Sequence, residues 1–202
     1  MATYRLRTPI SEEEVRRLRA GDVIYVSGTM VTARDAAHKR ALELARRGES
    51  LPVDLRGAVL YHCGPVVRKV GEEWEIVAAG PTTSTRMEAV EADFIKAFGV
   101  RVIVGKGGMG PRTARACREY GAVYAAFTGG AGALAAKAVK RVARVEWLDL
   151  GVPEALWVLE VEDFGPLVVA IDTHGRNLYE EVARAVEARR AELYERLGLS
   201  AS

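Results

Sequence analysis

Three cations stand where short apolar runs give way to polar turns: Arg34, Arg86 and Lys106. A guanidinium grips a carboxylate or phosphate through two parallel hydrogen bonds, and an ammonium adds a point charge. One carboxylate needs one good cation, whereas a small dicarboxylic acid needs two or more. The surroundings of the three cations fit that reading to different degrees. Arg34 lies in Ser27-Gly-Thr-Met-Val-Thr-Ala-Arg-Asp-Ala-Ala-His38. On a helix, Arg34 and His38 are neighbours, as are Asp35 and His38. Asp35 either orients His38 or caps its own helix, and a capped amphipathic helix with a solvated charge pair explains this stretch equally well. Arg86 follows Gly80-Pro-Thr-Thr-Ser-Thr85. Capping a helix takes one hydroxyl, and four crowd this start. The surplus points to an anion held at a positive helix end, with Arg86 one turn in to add a bidentate grip. Lys106 lies in Gly105-Lys-Gly-Gly-Met-Gly-Pro111. No Gly-Lys-Ser/Thr closes that loop, so it is not a Walker A motif, and it lacks the acidic partner of a dinucleotide fingerprint. What remains is a cation beside backbone amides, Gly107 among them, which suits a small anion.

A base or acid could come from His38 or from a hydroxyl such as Thr82. No Ser–His–Asp or Cys–His arrangement stands out, so nucleophilic catalysis lacks support. No strong electrophile is evident, which suggests a metal or cluster supplied from elsewhere. Thr128-Gly-Gly-Ala-Gly132 reads as close helix–sheet packing and Asp172-Thr-His-Gly-Arg176 as a turn. His62 and Cys63 follow a strand and could face a cleft, but they lack the further ligands of a zinc site.

The elements that must position these residues are mixed. Ser11-Glu-Glu-Glu14 is a capping box, with Gly21 closing its short helix. Val23–Ser27 is β-rich, and Thr32-Ala-Arg-Asp35 repeats the capping pattern before a helix to about Gly48. Ala58–Tyr61 reads as a buried strand, and Val66–Val70 with Trp74–Val77 as a hairpin. Thr83 or Ser84 is expected to cap a helix whose inner face is Met87, Val90, Phe94, Ile95 and Phe98. Val100–Val104 and Ala122–Phe127 are strands, each followed by a helix. Leu156–Val161 and Leu167–Ile171 read as paired strands around Asp163-Phe-Gly-Pro166. From about Asn177 a charged helix carries a thin apolar stripe of Ala183, Val186, Ala191 and Leu193. Strand–helix–strand–helix in the middle implies parallel pairing, and the flanking hairpins imply antiparallel strands. The expected fold is a mixed-sheet, layered α/β domain.

Composition bounds the function. The chain has 202 residues, 49% of them hydrophobic, which suits one packed core and hence one domain over 1–202. Lys plus Arg is 29 and Asp plus Glu is 27, so the formal net charge is +2. That balance argues against a nucleic-acid binder. No apolar run is long enough for a membrane helix, and the N-terminus lacks a signal-peptide core. Two cysteines, Cys63 and Cys117, are too few to hold an iron–sulfur cluster alone and fit a cytoplasmic protein.

The stretches Ser27-Gly-Thr29, Thr32–His38, Gly80–Met87, Val104–Pro111 and Val161-Glu-Asp-Phe164 resemble the β subunit of class I, iron–sulfur-dependent fumarate hydratase and L(+)-tartrate dehydratase. The same segment forms the C-terminal domain of single-chain class I fumarases. The resemblance runs from about Pro9 to Tyr179. It implies a swivelling β/β/α domain and an α partner whose cysteines hold a [4Fe–4S] cluster, no metal being bound by this chain itself. It further implies an α2β2 assembly, with a β–β dimer compatible with it. By the family motif, Arg34, Arg86 and Lys106 would hold substrate carboxylates, with Gly107 beside them. Thr82 would handle the C3 proton, Thr83 would support it or bind substrate, His38 would be the active-site histidine and Asp35 an orienting residue. The implied reaction is reversible hydration of fumarate to L-malate. The runner-up is dehydration of L-tartrate to oxaloacetate. A non-catalytic dicarboxylate-binding module would keep the cations without an obligate partner, and a nucleotide-binding reading rests only on Gly-rich turns.

Overall fold

The computed structural model describes residues 1–198; residues 199–202 and the side chain of Ala191 lie outside that description. Seven strands make one sheet: β1 (Thr3–Arg7), β2 (Val23–Thr32), β3 (Val59–Tyr61), β6 (Val102–Gly105), β7 (Val123–Ala126), β8 (Val139–Glu146) and β9 (Leu156–Ile171). The order is β1-β2-β3-β6-β7-β9-β8, and β9 also pairs with β2. The β1, β2, β3, β6 and β7 neighbours are parallel, whereas β9 runs antiparallel to β2, β7 and β8. Because β9 meets both β2 and β7, the sheet closes on itself as a ring. The expected mixed α/β architecture is observed. The hairpin of β4 (Val66–Val70) and β5 (Glu73–Ala78) stands apart as a two-stranded sheet.

Alternation along the short strands sorts their side chains onto two faces. Val59, Tyr61, Val102, Val104, Val123 and Ala125 join a core with Trp157, Phe164 and Val169. Leu60, Ile103 and Tyr124 point the other way, into a second core under the helices. Those helices are α2 (Asp35–Arg46), α3 (Glu88–Phe98) and α4 (Pro111–Tyr120). Both faces are covered, as parallel sheets require. Met87, Phe94 and Ile95 are fully buried beneath α3, as the helical spacing predicts.

Several boundaries differ from expectation. The capping box at Ser11 is present, but α1 (Glu12–Arg17) ends at Leu18, ahead of Gly21. Thr32 caps nothing: it ends β2, and its hydroxyl accepts from the Trp157 amide at 3.1 Å. A single 3-10 turn over Ser84–Met87 precedes α3, with no side-chain cap from Thr83. After α5 (Gly132–Ala138) the chain enters β8, which polar, charged Val139–Glu146 conceals in the sequence.

The largest correction concerns β9. Residues 156–161 and 167–171 do not fold back on each other; they are one strand of 16 residues. Asp163-Phe-Gly-Pro bends it without reversing it. Asp163 takes φ 47°, and its amide donates to the Ser27 hydroxyl at 3.0 Å. Pairing with β2 shifts register on both sides of Val26. The bend drives Phe164 into the core between Tyr61 and Phe127, at centroid distances of 5.2 and 5.3 Å. The C-terminal helix is α6 (Leu178–Arg196), starting where expected; the Asn177 side chain caps it, and Val186 and Leu193 are exposed on it. No helix of the described residues is long and apolar enough to cross a membrane.

Phe164 is the wedge at the strand's bend. Phe164→Ala should cost about 3–5 kcal/mol, as truncations of buried aromatics do. Urea unfolding followed by circular dichroism measures this. A loss below about 1 kcal/mol would show that the ring closes without the wedge.

Candidate active site at the parallel strand ends

Register sets the site. Thr32 pairs with Tyr61, Tyr61 with Val104, and Val104 with Ala125, so the parallel strands end level. The loops that follow them emerge on one rim, the place where open parallel α/β sheets bind ligands. All three sequence-predicted junctions meet there. Thr83 and Lys106 form a parallel bridge. The Ser84 amide donates to the Lys106 carbonyl at 2.8 Å, and the Lys106 amide to the Thr82 carbonyl at 3.3 Å. Arg86 reaches across to Asp35 with both Nε and Nη2. The Lys106 side chain runs beside Gly129, where an added Cβ would stand 3.1 Å from its Cδ. Gly132 lies against Gly80 just as closely, so Gly129 and Gly132 serve close packing, as read from the sequence, while Gly130 stands in open space.

The cations are not equally available. Arg34 faces Glu154, with Nε 3.3 Å from Oε1, and both side chains are largely shielded. The other Glu154 oxygen accepts from the Ala36 amide at 2.8 Å, capping α2 from a distant loop. Gly64 allows this packing: a Cβ there would lie 2.8 Å from Arg34 Nη1. Arg86 is half exposed and paired with Asp35. Partial burial pushes the Asp35 carboxyl up, but the hydrogen bond to Arg86, a backbone hydrogen bond and the charges of Arg86 and Arg34 together hold it below its usual range. Among the described residues, the Lys106 ammonium and the Thr82 and Thr83 hydroxyls have no side-chain partner.

The amides at the start of α4 are not available to a ligand. Glu88 occupies them: Gly110 N donates to it at 2.7 Å and Arg112 N at 3.0 Å, with the Thr113 hydroxyl at 2.7 Å. Gly110, like Gly107 and Lys106, lies on the rim, but its anion comes from within the chain.

Behind the rim lies a cluster that sequence reasoning did not assemble. His38, His62 and Glu91 are fully buried. His38 does not meet Asp35. Their partners differ: Asp35 pairs with Arg86, while His38 is buried against the Arg34 carbonyl and Glu91. His38 Nδ1 lies 2.8 Å from the Arg34 carbonyl and Nε2 3.1 Å from Glu91 Oε2. His62 Nε2 reaches the same oxygen at 3.0 Å, and its Nδ1 lies 2.9 Å from Ser84 Oγ. Tyr124 donates to Ser84 Oγ at 3.0 Å. The chemistry of the partners assigns the protons. A carbonyl and a carboxylate only accept, so both His38 nitrogens carry hydrogen and the ring is an imidazolium. Ser84 accepts from Tyr124 and donates to His62 Nδ1, so His62 is neutral with its proton on Nε2.

The pKa directions agree. Burial opposes the charge on His38, but Glu91 overcomes it and raises the group above 6.5. For His62, burial prevails and lowers it. Burial pushes the Glu91 carboxyl up, yet the two imidazoles pull it down to about 2. Its second oxygen, Oε1, has no partner among the described residues. Gly105 makes room for the cluster: a Cβ there would stand 1.8 Å from Ser84 Oγ. His62 was expected to face a cleft without further ligands beside it; it is instead fully buried, with His38 and Glu91 placed so that the three offer ligand atoms within 4.8 Å of one another. Glu91 gave no local signal, since its partners are 29 and 53 positions away.

The two thiols do not suit a metal cluster. Cys63 and Cys117 are free and buried, and burial pushes the Cys63 thiol up to about 12. Cys117 is likewise raised by burial. Metal ligation needs thiolates with an open approach. Here the donor set does not fit an iron–sulfur cluster.

Comparison with known proteins adds the following. Residues 2–182 match the family described as Fumarase C-terminus. The chain is 48% identical over 192 residues to the L(+)-tartrate dehydratase subunit beta of Escherichia coli (strain K12), covering 95% of this chain and 94% of that one. It is 47% identical over 185 residues to a putative L(+)-tartrate dehydratase subunit beta of Methanocaldococcus jannaschii, covering 91% and 95% respectively. It is 44% identical over 181 residues to a putative fumarate hydratase class I of Geobacillus stearothermophilus, covering 89% of this chain and 34% of that one.

A buried carboxylate between two imidazoles makes stability depend on pH in a defined way. Glu91 stabilises the fold above 4.5, and its share fades as pH falls toward about 2. The imidazolium of His38 stabilises below 6.5, and its share fades as pH rises through its raised value. Glu91→Gln should therefore cost most between 4.5 and 6.5, about 3–5 kcal/mol, and less on either side. Denaturation across pH tests this; a cost that does not vary with pH would rule out opposite charges on Glu91 and His38.

Proposed function

The chain belongs to the fumarase C-terminal family, and on that premise we propose that it is the β subunit of a class I hydro-lyase that reversibly hydrates fumarate to L-malate. The observation that carries this is the convergence of Arg34, Thr82, Thr83, Arg86 and Lys106 on one rim of level strand ends. Two guanidiniums and one ammonium are the complement of two carboxylates. Arg86 already hydrogen-bonds a carboxylate of this chain, Asp35, and Arg34 stands 3.3 Å from another, Glu154, with its buried Nε making no hydrogen bond among the described residues. A substrate carboxylate replaces one anion with another and leaves no guanidinium bare. Lys106 and Gly107 line the adjacent loop.

Hydration adds a hydroxyl to one carbon and a proton to its neighbour; dehydration removes both. Thr82 is the proton-transfer group in this proposal, because its hydroxyl has no side-chain partner among the described residues and its carbonyl accepts from the Lys106 amide, one residue before the Thr83–Lys106 bridge. Thr83 contacts substrate beside it. Asp35 orients Arg86. His38, with both nitrogens engaged in the core, supports the Arg34 carbonyl from behind.

The [4Fe–4S] cluster implied by the resemblance is assigned to an α subunit, since the thiols here do not fit one. The stand-alone relatives are named as beta subunits, which implies such a partner. We assign the assembly as α2β2 with a β–β contact, the fold as the swivelling β/β/α type, and residues 1–202 as one catalytic domain. Two free thiols suit the cytoplasm. A second reading, dehydration of L(+)-tartrate to oxaloacetate, is favoured by the names of the beta-subunit relatives. The two substrate classes differ by one hydroxyl and use the same carboxylate grips.

The test is an anaerobic assay of this chain co-expressed with a cluster-bearing α partner, offering malate, fumarate and L-tartrate, with the chain alone as control. Turnover of malate and fumarate only in the complex is the expected result; turnover of tartrate instead selects the second reading, and no association and no turnover leaves a dicarboxylate-binding module. In the active complex, Thr82→Ala should lower kcat by about 10²-fold or more, the usual worth of general acid–base catalysis, with KM little changed. Unchanged kcat removes Thr82 from proton transfer. Arg86→Ala should instead raise KM, because it removes a grip made in ground and transition states alike.

A further inference from the structure

The buried cluster joins the two junctions that would grip opposite ends of a dicarboxylate. One end of the chain of hydrogen bonds is the Arg34 carbonyl, which accepts from both the His38 ring and the His38 amide, at 2.8 and 2.9 Å. The other end is Ser84, the residue after Thr83 and two before Arg86. Between them stand two imidazoles on one carboxylate oxygen. The His62 backbone adds to this: its carbonyl accepts from Thr82 N at 2.7 Å, and its amide donates to Val104 at 2.8 Å. Tyr124 braces Ser84 from β7. The cluster thus touches the loop after β2, the Thr82–Arg86 segment and β6 itself.

Packing alone does not explain it. Apolar side chains of equal volume fill a core at lower desolvation cost than a carboxylate with one unpartnered oxygen. What the cluster adds is direction: each bond fixes the angle of a ring or the height of a loop. We propose that Glu91 is a positioning residue, which through His38 and through His62 with Ser84 sets the distance between Arg34 and the Thr82–Arg86 segment and so the length of dicarboxylate the site accepts. This rests on the dicarboxylate reading above. Neither Glu91 nor Ser84 touches substrate; both act through the residues that do.

Ser84→Ala is the sharpest variant, since it cuts the link to His62 and removes no charge. Glu91→Gln is the second, and Val15→Ala, in the core on the opposite face of the sheet, controls for lost stability. The wild-type complex is assayed first. If it turns over none of the dicarboxylates offered, the parent reading fails, and this one with it. If it is active, Ser84→Ala should lower kcat/KM about 10- to 100-fold for the preferred substrate, as small misplacements of binding groups do. The loss should lie mainly in KM, with discrimination against a dicarboxylate one methylene longer relaxed, while Val15→Ala changes neither. Unchanged kinetics and unchanged discrimination in Ser84→Ala overturn the proposal. An independent readout is nitrogen NMR of the 15N-histidine-labelled chain, which has 3 histidines. His38 should remain an imidazolium above 6.5 and His62 a neutral Nε2–H tautomer. A neutral His38 there, or a metal ion bound to the chain and lost in Glu91→Gln, would overturn it.

Discussion

Closure of the sheet by one long strand is the constraint on which the rest depends. Four parallel strands alone would splay at their free edges. β9 ties β2 to β7, and so forces the intervening strands into one level ring. It does so only because it bends at Asp163–Pro166 and carries Phe164 inward at the bend. Level strand ends follow from closure, and a single rim follows from level ends. A hairpin at 156–171 would have left β2 and β7 untied, and the Arg34 junction free to drift from the Lys106 junction.

On that rim, anions and cations are already sorted. Glu88 satisfies the start of α4, Glu154 the start of α2, and Asp35 the guanidinium of Arg86. Each is a carboxylate meeting N–H groups, the chemistry a dicarboxylate substrate would present. The difference lies in exposure and reach. Glu88 is bound by several donors on one helix turn and is structural. The Asp35–Arg86 pair is partly open to solvent and worth little by itself. A ligand carboxylate that displaces it loses little and gains a charged grip. The empty hydroxyls of Thr82 and Thr83 stand beside it.

Most of this rim was legible in the sequence, because its signals are local. Surplus hydroxyls before Arg86, glycines around Lys106 and the Arg34–His38 spacing each lie within about two helix turns, the span over which periodicity carries information. The same locality explains what was missed. Glu91 reads as one more charge on an amphipathic helix; only the packing of α2 and β3 against α3 gives it two imidazoles. Asp35 sits near His38 in sequence, yet the two take different partners. Asp163-Phe-Gly-Pro carries every mark of a turn, and tertiary pairing with β2 overrides it. The α4 amides looked open until Glu88, 22 residues upstream, was found in them.

In the proposed reading the chain supplies grips and a proton path, and its two thiols bear on what it leaves to a partner. Cys63 and Cys117 sit in apolar cores where burial favours the protonated form. To make either a thiolate ligand, the protein would have to expose a strand or α4. That would break the closure that levels the rim. On the proposed reading, a fold with dry cores beneath its site leaves the cluster to the partner and presents its cations to that partner's surface. Among the buried polar groups, the His38–Glu91–His62 cluster is net neutral and faces no solvent. Its charges are spent on holding two loops apart by a fixed distance. A site made of grips alone needs that distance more than it needs another reactive group.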